Sequence, residues 1–239
     1  WSANAYLCIV LSHPRQPTRS RILHEHGIEV RESIVTTDIG YAVAGCGRIG
    51  RRHCQVIRDL PEARVVAVAD PDAAKRESVQ ELVSGAPGYA EFGDILAEPR
   101  VDVVVICSPT HLHAQMTVDA CRAGKHAYCE KAMAATPSQC RAMVKAAGEA
   151  GVKLTVGQST RFQPAAMMAR RMVETGAIGK PFGVSGSFAG VAEPRERGAT
   201  DSWRYRAGST GNGHVINFGC HYIDTARFVL AVVYCRLGP

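Results

Sequence analysis

The sequence lacks the long hydrophobic runs, basic tracts and aromatic density that mark membrane and nucleic-acid-binding proteins. No apolar run approaches the roughly 20 residues that a membrane-spanning helix needs, so we predict no membrane partner. Aromatic residues make up only 6% of the 239 residues, and the lysines and arginines are spread along the chain rather than clustered. Because single-stranded nucleic acid is bound by basic grooves with stacking aromatics, we also predict no nucleic-acid partner.

The nine cysteines form no C-x-x-C pair, and their number is odd. Disulfide frameworks of small secreted domains use an even number of cysteines, and structural zinc sites need closely spaced ligands. The pattern therefore predicts free thiols in a reducing compartment. We expect a cytoplasmic protein without a bound metal.

The first part of the chain shows no regular hydrophobic period. Residues 1–37 include the stretch "SHPRQPTRSR", which is typical of a linker, and we interpret them as an N-terminal extension of unknown role. The chain starts with Trp1 rather than Met and stops at Pro239, soon after a predicted helix. We therefore expect a C-terminally truncated piece of a longer protein.

From Ile39 onwards, short apolar strands alternate with amphipathic helices. The predicted strands are "IGYAVAG", "ARVVAVAD", "VDVVVIC", "HAYC" and "VKLTVG". Continuous apolar strands are typical of parallel sheets that are buried on both faces. Their alternation with helices predicts an α/β fold with a doubly wound parallel sheet over residues 38–157. Thr110 and Thr136 are expected to cap the two helices that follow them.

After Gly157 the alternation ends, and we predict a second domain over residues 158–239. It contains the predicted helix "PAAMMARRMVETG", the predicted strand "PFGVSGSFAG", a polar loop over 193–213 and the final helix "HVINFGCHYIDTARFVL". These elements are too few to bury a large core. We therefore expect an incomplete α+β domain.

The stretch "GCGRIG" is a glycine-rich turn between the first predicted strand and the first helix. Its glycines allow a tight turn, a close approach to a pyrophosphate and close packing of the helix on the strand. Asp70 ends the second strand, where a carboxylate accepts hydrogen bonds from ribose hydroxyls and repels a 2′-phosphate. This pattern predicts a Rossmann-type site for NAD, with NADP disfavoured; a glycine-rich turn without a cofactor is the alternative. The cofactor residues predicted here are Gly45, Gly47, Arg48, Ile49, Gly50 and Asp70.

A second polar stretch, "CSPTHLH", ends the strand "VDVVVIC". Ser108 and Thr110 are predicted to line the path of the cofactor, and His113 is assigned to the same site. Two histidines at i and i+2 diverge on a helix, and no carboxylate is near in sequence, so a metal site is disfavoured. His53, in the first helix, is interpreted as a packed residue.

Four stretches together resemble the Gfo/Idh/MocA oxidoreductases. They are "GCGRIGRRH", "SPTHLHA", "AGKHAYCEKAMA" and "WRYRAGSTGNGHVINFGCHYID", and the resemblance covers Ile39 to about Leu230. It implies an NAD-dependent enzyme that transfers a hydride between nicotinamide and a hydroxyl or carbonyl of a sugar, cyclitol or related small molecule. It also implies a homo-oligomer when the protein is full length.

In this family a Glu-Lys-Pro motif ends the strand beside the nicotinamide. Glu130 and Lys131 match it here, and Ala132 replaces the proline. The resemblance implies that Lys131 is an acid/base and substrate ligand, and that Glu130 and Arg161 border the cofactor. We expect the replacement of proline by Ala132 to remove a cis peptide bond.

The inositol-type members carry Asp-x-x-x-His in the final helix, where this chain has Asn217 and His221, followed by Asp224. The resemblance implies that His221 relays the substrate proton. The i, i+4 spacing would place Asn217 beside it, and Asp224 would keep one acid near. An amide orients a histidine but does not stabilise an imidazolium as a carboxylate does.

The sequence is compatible with two other functions. Some members of the family use tightly bound NAD for transient oxidation during hydrolysis, so an NAD-dependent glycosidase is one alternative. A non-catalytic dinucleotide-binding protein is the other, since Ala132 and Asn217 depart from the family pattern.

Overall fold

The structure, a computed structural model, describes residues 21–25, 28–32, 38–185 and 215–230. Strands β1 (Arg21–Glu25) and β2 (Ile28–Glu32) pair as an antiparallel hairpin within the stretch that shows no period in the sequence. The predicted polar loop over 193–213 lies outside the described residues. In the part of the chain that the structure describes, no helix is both long and apolar enough to cross a membrane.

A parallel sheet of six strands forms the centre of the structure. Its strands are β3 (Ile39–Ala44), β4 (Ala63–Ala69), β5 (Gly88–Tyr89), β6 (Val103–Ile106), β7 (His126–Cys129) and β8 (Leu154–Val156). They lie in the order β5-β4-β3-β6-β7-β8, and every pairing is parallel. Counted within the sheet this order is 3-2-1-4-5-6, which is typical of dinucleotide-binding Rossmann folds. The predicted doubly wound parallel sheet is confirmed.

Helices connect these strands and continue beyond the sheet. They are α1 (Arg48–Arg58), α2 (Ala73–Gln80), α3 (Phe92–Ala97), α4 (Thr110–Arg122), α5 (Pro137–Ala150), α6 (Pro164–Glu174) and α7 (Cys220–Val229). Sequence patterns did not predict β5 and α3. The reason is their length, since two and six residues are too few to show a period.

Two apolar clusters bury the central strands, one on each face of the sheet. The first includes Val43, Val103, Val105, Cys54 and Ile57. The second includes Val104, Ile106, Ile95 and Ala120. Each fully buried side chain of this kind stabilises the fold by about 1.5–3 kcal/mol, so the sheet firmly supports the loops at its carboxyl edge.

The N-terminal cap of one helix is as predicted, and that of another is not. Thr136 caps α5 as predicted: its hydroxyl accepts a hydrogen bond from the Gln139 amide at 3.3 Å, and the Gln139 side chain returns one. Thr110 does not cap α4. Helix α4 starts one residue earlier than expected, because extended Pro109 occupies the capping position and Thr110 is already helical and buried.

Beyond the sheet, a short 3₁₀ turn (Ser159–Phe162) leads into α6, and a π-helical segment (Val215–Gly219) leads into α7. The strand predicted over 181–190 is absent from residues 181–185, which form no regular element; the rest of it lies outside the described residues. Gly183 and its neighbours are exposed there, so no partner strand lies beside this segment within the described residues. The predicted domain boundary after Gly157 stays a prediction.

Candidate functional site

The three glycines of the "GCGRIG" turn face three different surroundings. A Cβ atom at Gly45, whose φ is +96°, would lie 2.8 Å from the carbonyl of Cys107. A Cβ at Gly50 would lie 1.8 Å from the Gly45 carbonyl oxygen, so helix α1 packs directly on the turn. A Cβ at Gly47 would meet nothing within 4 Å. The turn is therefore closed on two sides and open at Gly47, which suits the approach of a pyrophosphate.

Arg48 and Ile49 form the first turn of α1, directly after the capping residue Gly47. The first N–H groups of a helix have no partner within the helix, and they attract anions. Arg48 is exposed and Ile49 is half-buried. Both residues thus border the open side of the glycine-rich turn.

Asp70 stands at the end of β4, where both carboxylate oxygens are held. Oδ2 accepts a hydrogen bond from the Cys46 amide at 2.7 Å, and Oδ1 accepts one from the Asp72 amide at 2.9 Å. The first bond ties the carboxylate to the glycine-rich turn. A carboxylate oxygen has two lone pairs, so each of these oxygens keeps capacity for a ribose hydroxyl.

Ser108 and Thr110 follow β6 at the same edge of the sheet. Gly45 touches this loop, since a Cβ there would lie 2.9 Å from the Ser108 amide nitrogen. The Ser108 hydroxyl is buried and makes no hydrogen bond among the described residues. A buried hydroxyl without a partner next to the glycine-rich turn is a place where a bound ligand would supply the missing bond.

His113 lies beneath these loops rather than on their surface. Only 1% of it is exposed, with Nδ1 2.7 Å from the Ala132 carbonyl oxygen and Nε2 2.9 Å from the Ser108 carbonyl oxygen. Burial lowers the pKa of His113, although both carbonyls act in the opposite direction. As placed, the ring offers no surface to a cofactor, and it links two loops that could contact one.

Glu130 turns towards α1. Its Oε1 lies 2.8 Å from Nε2 of His53, and its Oε2 accepts a hydrogen bond from the Lys131 amide at 3.0 Å. The His53 ring is packed, as the sequence suggested, with Tyr128 edge-on at a centroid distance of 5.1 Å. It also makes the polar contact that holds Glu130, which no sequence pattern indicates because 77 residues separate the two.

Lys131 points from the end of β7 towards the π-helical segment. Its Nζ lies 5.6 Å from the centroid of the Phe218 ring. The bond between Lys131 and Ala132 is cis, so the expectation that Ala132 removes a cis peptide was wrong. An alanine occupies this bond geometry here, with the Ala132 carbonyl facing His113.

His221, on α7, is close enough to Lys131 to feel its charge. Burial is the largest cause that lowers the pKa of His221, and the positive charge of Lys131 lowers it further. Its Nδ1 lies 3.1 Å from the hydroxyl of Thr160, in the turn after β8. The structure thus brings together a lysine and a histidine that are 90 residues apart in the sequence.

Asp224 forms its hydrogen bonds with Arg161 rather than with His221. Arg161 Nε donates to Asp224 Oδ2 at 2.8 Å, and Nη2 donates to Oδ1. This pairing raises the pKa of Arg161. The aspartate contributes to His221 only through its charge, which opposes the lowering of the histidine pKa. Arg161, which the resemblance places beside the cofactor, fastens α7 through this pairing.

Asn217 lies within the π-helical segment, and its side chain lies outside the described residues. A π-helix hydrogen-bonds from i to i+5, so the α-helical i, i+4 relation to His221 does not hold along this segment. The contact that the structure shows at Nδ1 of His221 comes from the Thr160 hydroxyl. No sequence signal could identify Thr160, because 61 residues separate it from His221.

No group of three or more histidine, cysteine, aspartate or glutamate side chains is arranged for a metal ion within the described residues. The polar groups at the carboxyl edge instead suit a dinucleotide and an alcohol. The glycine-rich turn and Asp70 would suit the phosphates and a ribose, and Lys131 lies near enough to His221 for its charge to lower the histidine pKa.

Two family profiles match the chain. The profile described as "Oxidoreductase family, NAD-binding Rossmann fold" matches residues 39–158, and the profile described as "GFO/IDH/MocA C-terminal domain" matches residues 166–237. Together they cover the sheet, α7 and all but the first two residues of α6.

Similar proteins include sugar and cyclitol dehydrogenases. The chain is 32% identical over 177 residues to levoglucosan dehydrogenase from Pseudarthrobacter phenanthrenivorans. It is 30% identical over 190 residues to scyllo-inositol 2-dehydrogenase (NAD(+)) from Bacillus subtilis. These alignments cover 72% and 79% of this chain but 43% and 53% of the relatives, so the chain spans about half their length.

A solved structure with the same arrangement is the aldose-aldose oxidoreductase from Caulobacter crescentus, in complex with glycerol. The TM-score is 0.68 at 28% identity, over 81% of this chain and 58% of that chain. The segment that holds the sheet, from Ile39 to Val156, is about half of the chain, so a match over 81% extends beyond it.

Proposed function

Because the chain belongs to the GFO/IDH/MocA oxidoreductase family, we propose that it transfers a hydride between NAD and a hydroxyl or carbonyl of a sugar, cyclitol or related polyol. The observation that supports the proposal is the approach of Lys131 to the start of α7, the helix that carries His221: its Nζ lies 5.6 Å from the centroid of the Phe218 ring. Lys131 ends β7 at the edge that bears the glycine-rich turn, and its charge lowers the pKa of His221 on α7.

The chain's own groups divide into those that hold the cofactor and those that move a proton. The open face at Gly47, the first turn of α1 and the Asp70 carboxylate would hold the phosphates and a ribose. NAD, when bound, supplies the acceptor of the hydride.

The proton of the substrate hydroxyl is the task of Lys131 and His221. With its pKa lowered, the His221 ring is neutral at pH 7 and can accept a proton. The Thr160 hydroxyl holds Nδ1, so Nε2 is the ring atom left for exchange with a substrate. Lys131 supplies a positive charge beside the oxygen that loses the proton, which stabilises developing negative charge there.

A screen of polyols with NAD tests the proposal. We expect NADH absorbance to rise with at least one cyclitol or sugar, including myo-inositol among the probes. Release of free sugar from a glycoside without net NADH would favour the glycosidase instead. Binding of NAD without turnover on any polyol or glycoside would contradict the proposed reaction and favour a non-catalytic dinucleotide-binding protein.

The cofactor preference yields a prediction for Asp70. Asp70→Ala removes the ribose acceptor and the repulsion of a 2′-phosphate, so NAD affinity should fall about 10- to 100-fold, as for loss of a charged hydrogen bond, and NADP should bind comparably. Asp70→Asn is the matched variant, because it keeps an oxygen for the Cys46 amide but removes the charge. Isothermal titration with both cofactors measures the effect. Tighter binding of NADP than of NAD to the unaltered chain would contradict the prediction.

The contact between Thr160 and His221 yields a second prediction. Thr160→Val keeps the shape of the side chain but removes the hydroxyl that holds Nδ1. A net hydrogen bond contributes about 0.5–1.5 kcal/mol, so turnover should fall by about 2- to 12-fold while NAD affinity is retained. Thr160→Ser restores the hydroxyl and should restore turnover. Equal rates for the valine and serine variants would show that the hydroxyl plays no part.

The proposal includes a cytoplasmic location and assembly into a homo-oligomer. A cytoplasmic location is supported by Cys46, Cys54 and Cys129, which are free thiols whose pKa burial raises to about 12, so that they stay protonated. Formation of a homo-oligomer is supported by the exposed apolar side chains Met168 and Phe182. Light scattering would give the oligomeric state.

A further inference from the structure

Two buried histidines contact the main chain or side chain on either side of Lys131. His53 lies in α1, five residues after the first helical residue, and His113 lies in the first turn of α4. They are 7% and 1% exposed. They come from two different helices, and both point to the turn that carries Lys131.

His53 acts on the amino side of Lys131. A carboxylate only accepts hydrogen bonds, so Nε2 of His53 carries the proton and donates to Glu130 Oε1 at 2.8 Å. The other oxygen of Glu130 accepts from the Lys131 amide at 3.0 Å. The chain of contacts therefore runs from α1 to the main-chain nitrogen of Lys131.

His113 acts on the carboxyl side. Its Nδ1 lies 2.7 Å from the carbonyl oxygen of Ala132, and its Nε2 lies 2.9 Å from the carbonyl oxygen of Ser108. Both carbonyl oxygens are acceptors, and a neutral imidazole has only one N–H, so the ring donates to only one of them at a time. An apolar side chain would fill this buried place without leaving a polar atom unsatisfied, so packing alone does not account for a histidine here.

We propose that His53 and His113 are positioning residues that hold the main chain on both sides of Lys131 and thereby set the reach of its ammonium group towards the π-helical segment. The two rings also join Lys131 to the glycine-rich helix and to the Ser108 loop. The inference rests on the proposed function for the importance of Lys131, but the placement itself can be measured without a substrate.

Lysine methyl resonances provide that measurement. The chain has only six lysines, and reductive methylation with isotope-labelled formaldehyde keeps their charge while giving each an NMR signal. The Lys131 signal is assigned by its loss in Lys131→Met. Its position, and its shift on addition of NADH, report on the surroundings of the ammonium group. Lys125, whose Nζ donates to the carbonyls of Glu98 and Val101, is the internal reference.

Four variants separate positioning from packing, because asparagine reproduces the position of Nδ1 and glutamine that of Nε2. At position 113 the contact to Ala132 uses Nδ1, so His113→Asn should keep the Lys131 signal and its response to NADH, and His113→Gln should lose that response. At position 53 the contact uses Nε2, so His53→Gln should keep the response and His53→Asn should lose it. The Lys125 signal should stay in place in all four.

The decisive result is the crossed order of the variants, in which asparagine is the better replacement at position 113 and glutamine is the better replacement at position 53. If the same amide ranks better at both positions, side-chain volume matters and the positioning role is wrong; a Lys131 signal that is unchanged in all four variants also overturns it. Should the variants at 113 fail to fold, the pair at position 53 decides the proposal, since Glu130 is partly exposed there. A Lys131 signal of the unaltered chain that ignores NADH would contradict the proposed function, while the crossed order in signal position would still support the two histidines.

Discussion

Replacement of Lys131 by methionine is expected to reduce turnover about 10²- to 10⁴-fold, which is the contribution of a positioned acid/base group. Methionine keeps an unbranched side chain of similar reach beside Phe218 but removes the charge. NAD affinity should stay nearly unchanged, because the groups proposed to hold the phosphates and a ribose, the glycine-rich turn and Asp70, are not altered.

The same variant should alter the pH profile. The charge of Lys131 lowers the pKa of His221, so its removal lets that pKa rise towards the ordinary histidine value. A base works only when unprotonated; the acid limb of the residual activity should therefore move to higher pH. Initial rates between pH 5 and pH 8, where histidine titrates, would show the shift.

Lys145→Met is the matched control, because this exposed lysine forms only a weak pair with Glu149 on the surface of α5. It should leave both the rate and the profile unchanged. If the Lys131 variant retains the turnover of the control, Lys131 does not take part in the chemistry.

Substitution of alanine for Gly50 should lower stability, whereas the same substitution at Gly47 should not. A Cβ at Gly50 would lie 1.8 Å from the Gly45 carbonyl oxygen and 3.3 Å from a Val43 methyl group, so α1 would have to move off the strand. Overpacking of this kind costs about 1–3 kcal/mol or more. For a chain of this size that corresponds to a fall in Tm of about 2–12 °C.

Gly47→Ala separates folding from cofactor binding. Its backbone is extended, with φ of −69°, and a Cβ there meets nothing within 4 Å, so the chain should fold normally. The methyl group would occupy the open face of the turn, and NAD should bind more weakly. Thermal unfolding and NAD titration of both variants give the result; equal Tm values would show that the helix tolerates the crowding at Gly50.

The sheet could be predicted from the sequence because each strand is a local pattern. Apolar runs such as β6 are bounded by polar residues, and glycines with fixed spacing mark the first turn. The start of helix α5 is marked by Thr136 and Gln139. The side chain of each accepts a hydrogen bond from the backbone N–H of the other, and the two lie within four residues. These features involve neighbours along the chain, and the sequence displays them directly.

The partners of the site residues could not be predicted in this way. His53 and Glu130 are 77 residues apart, and Arg161 and Asp224 are 63 apart. Their pairing depends on how strands and helices pack, which no local spacing encodes. The π-helical backbone at Val215–Gly219 likewise changes the geometry around Asn217 without any mark in the residue pattern.

The short connection between β8 and α6 has a consequence for how such a protein can vary. Thr160 and Arg161 are adjacent in this connection, and they fasten two residues of α7, His221 and Asp224. The number of residues between Val156 and Pro164 therefore helps to set where His221 lies relative to Lys131. One inserted residue there would displace His221 from Lys131 while every side chain remained the same, whereas insertions in distant surface loops would leave that spacing untouched.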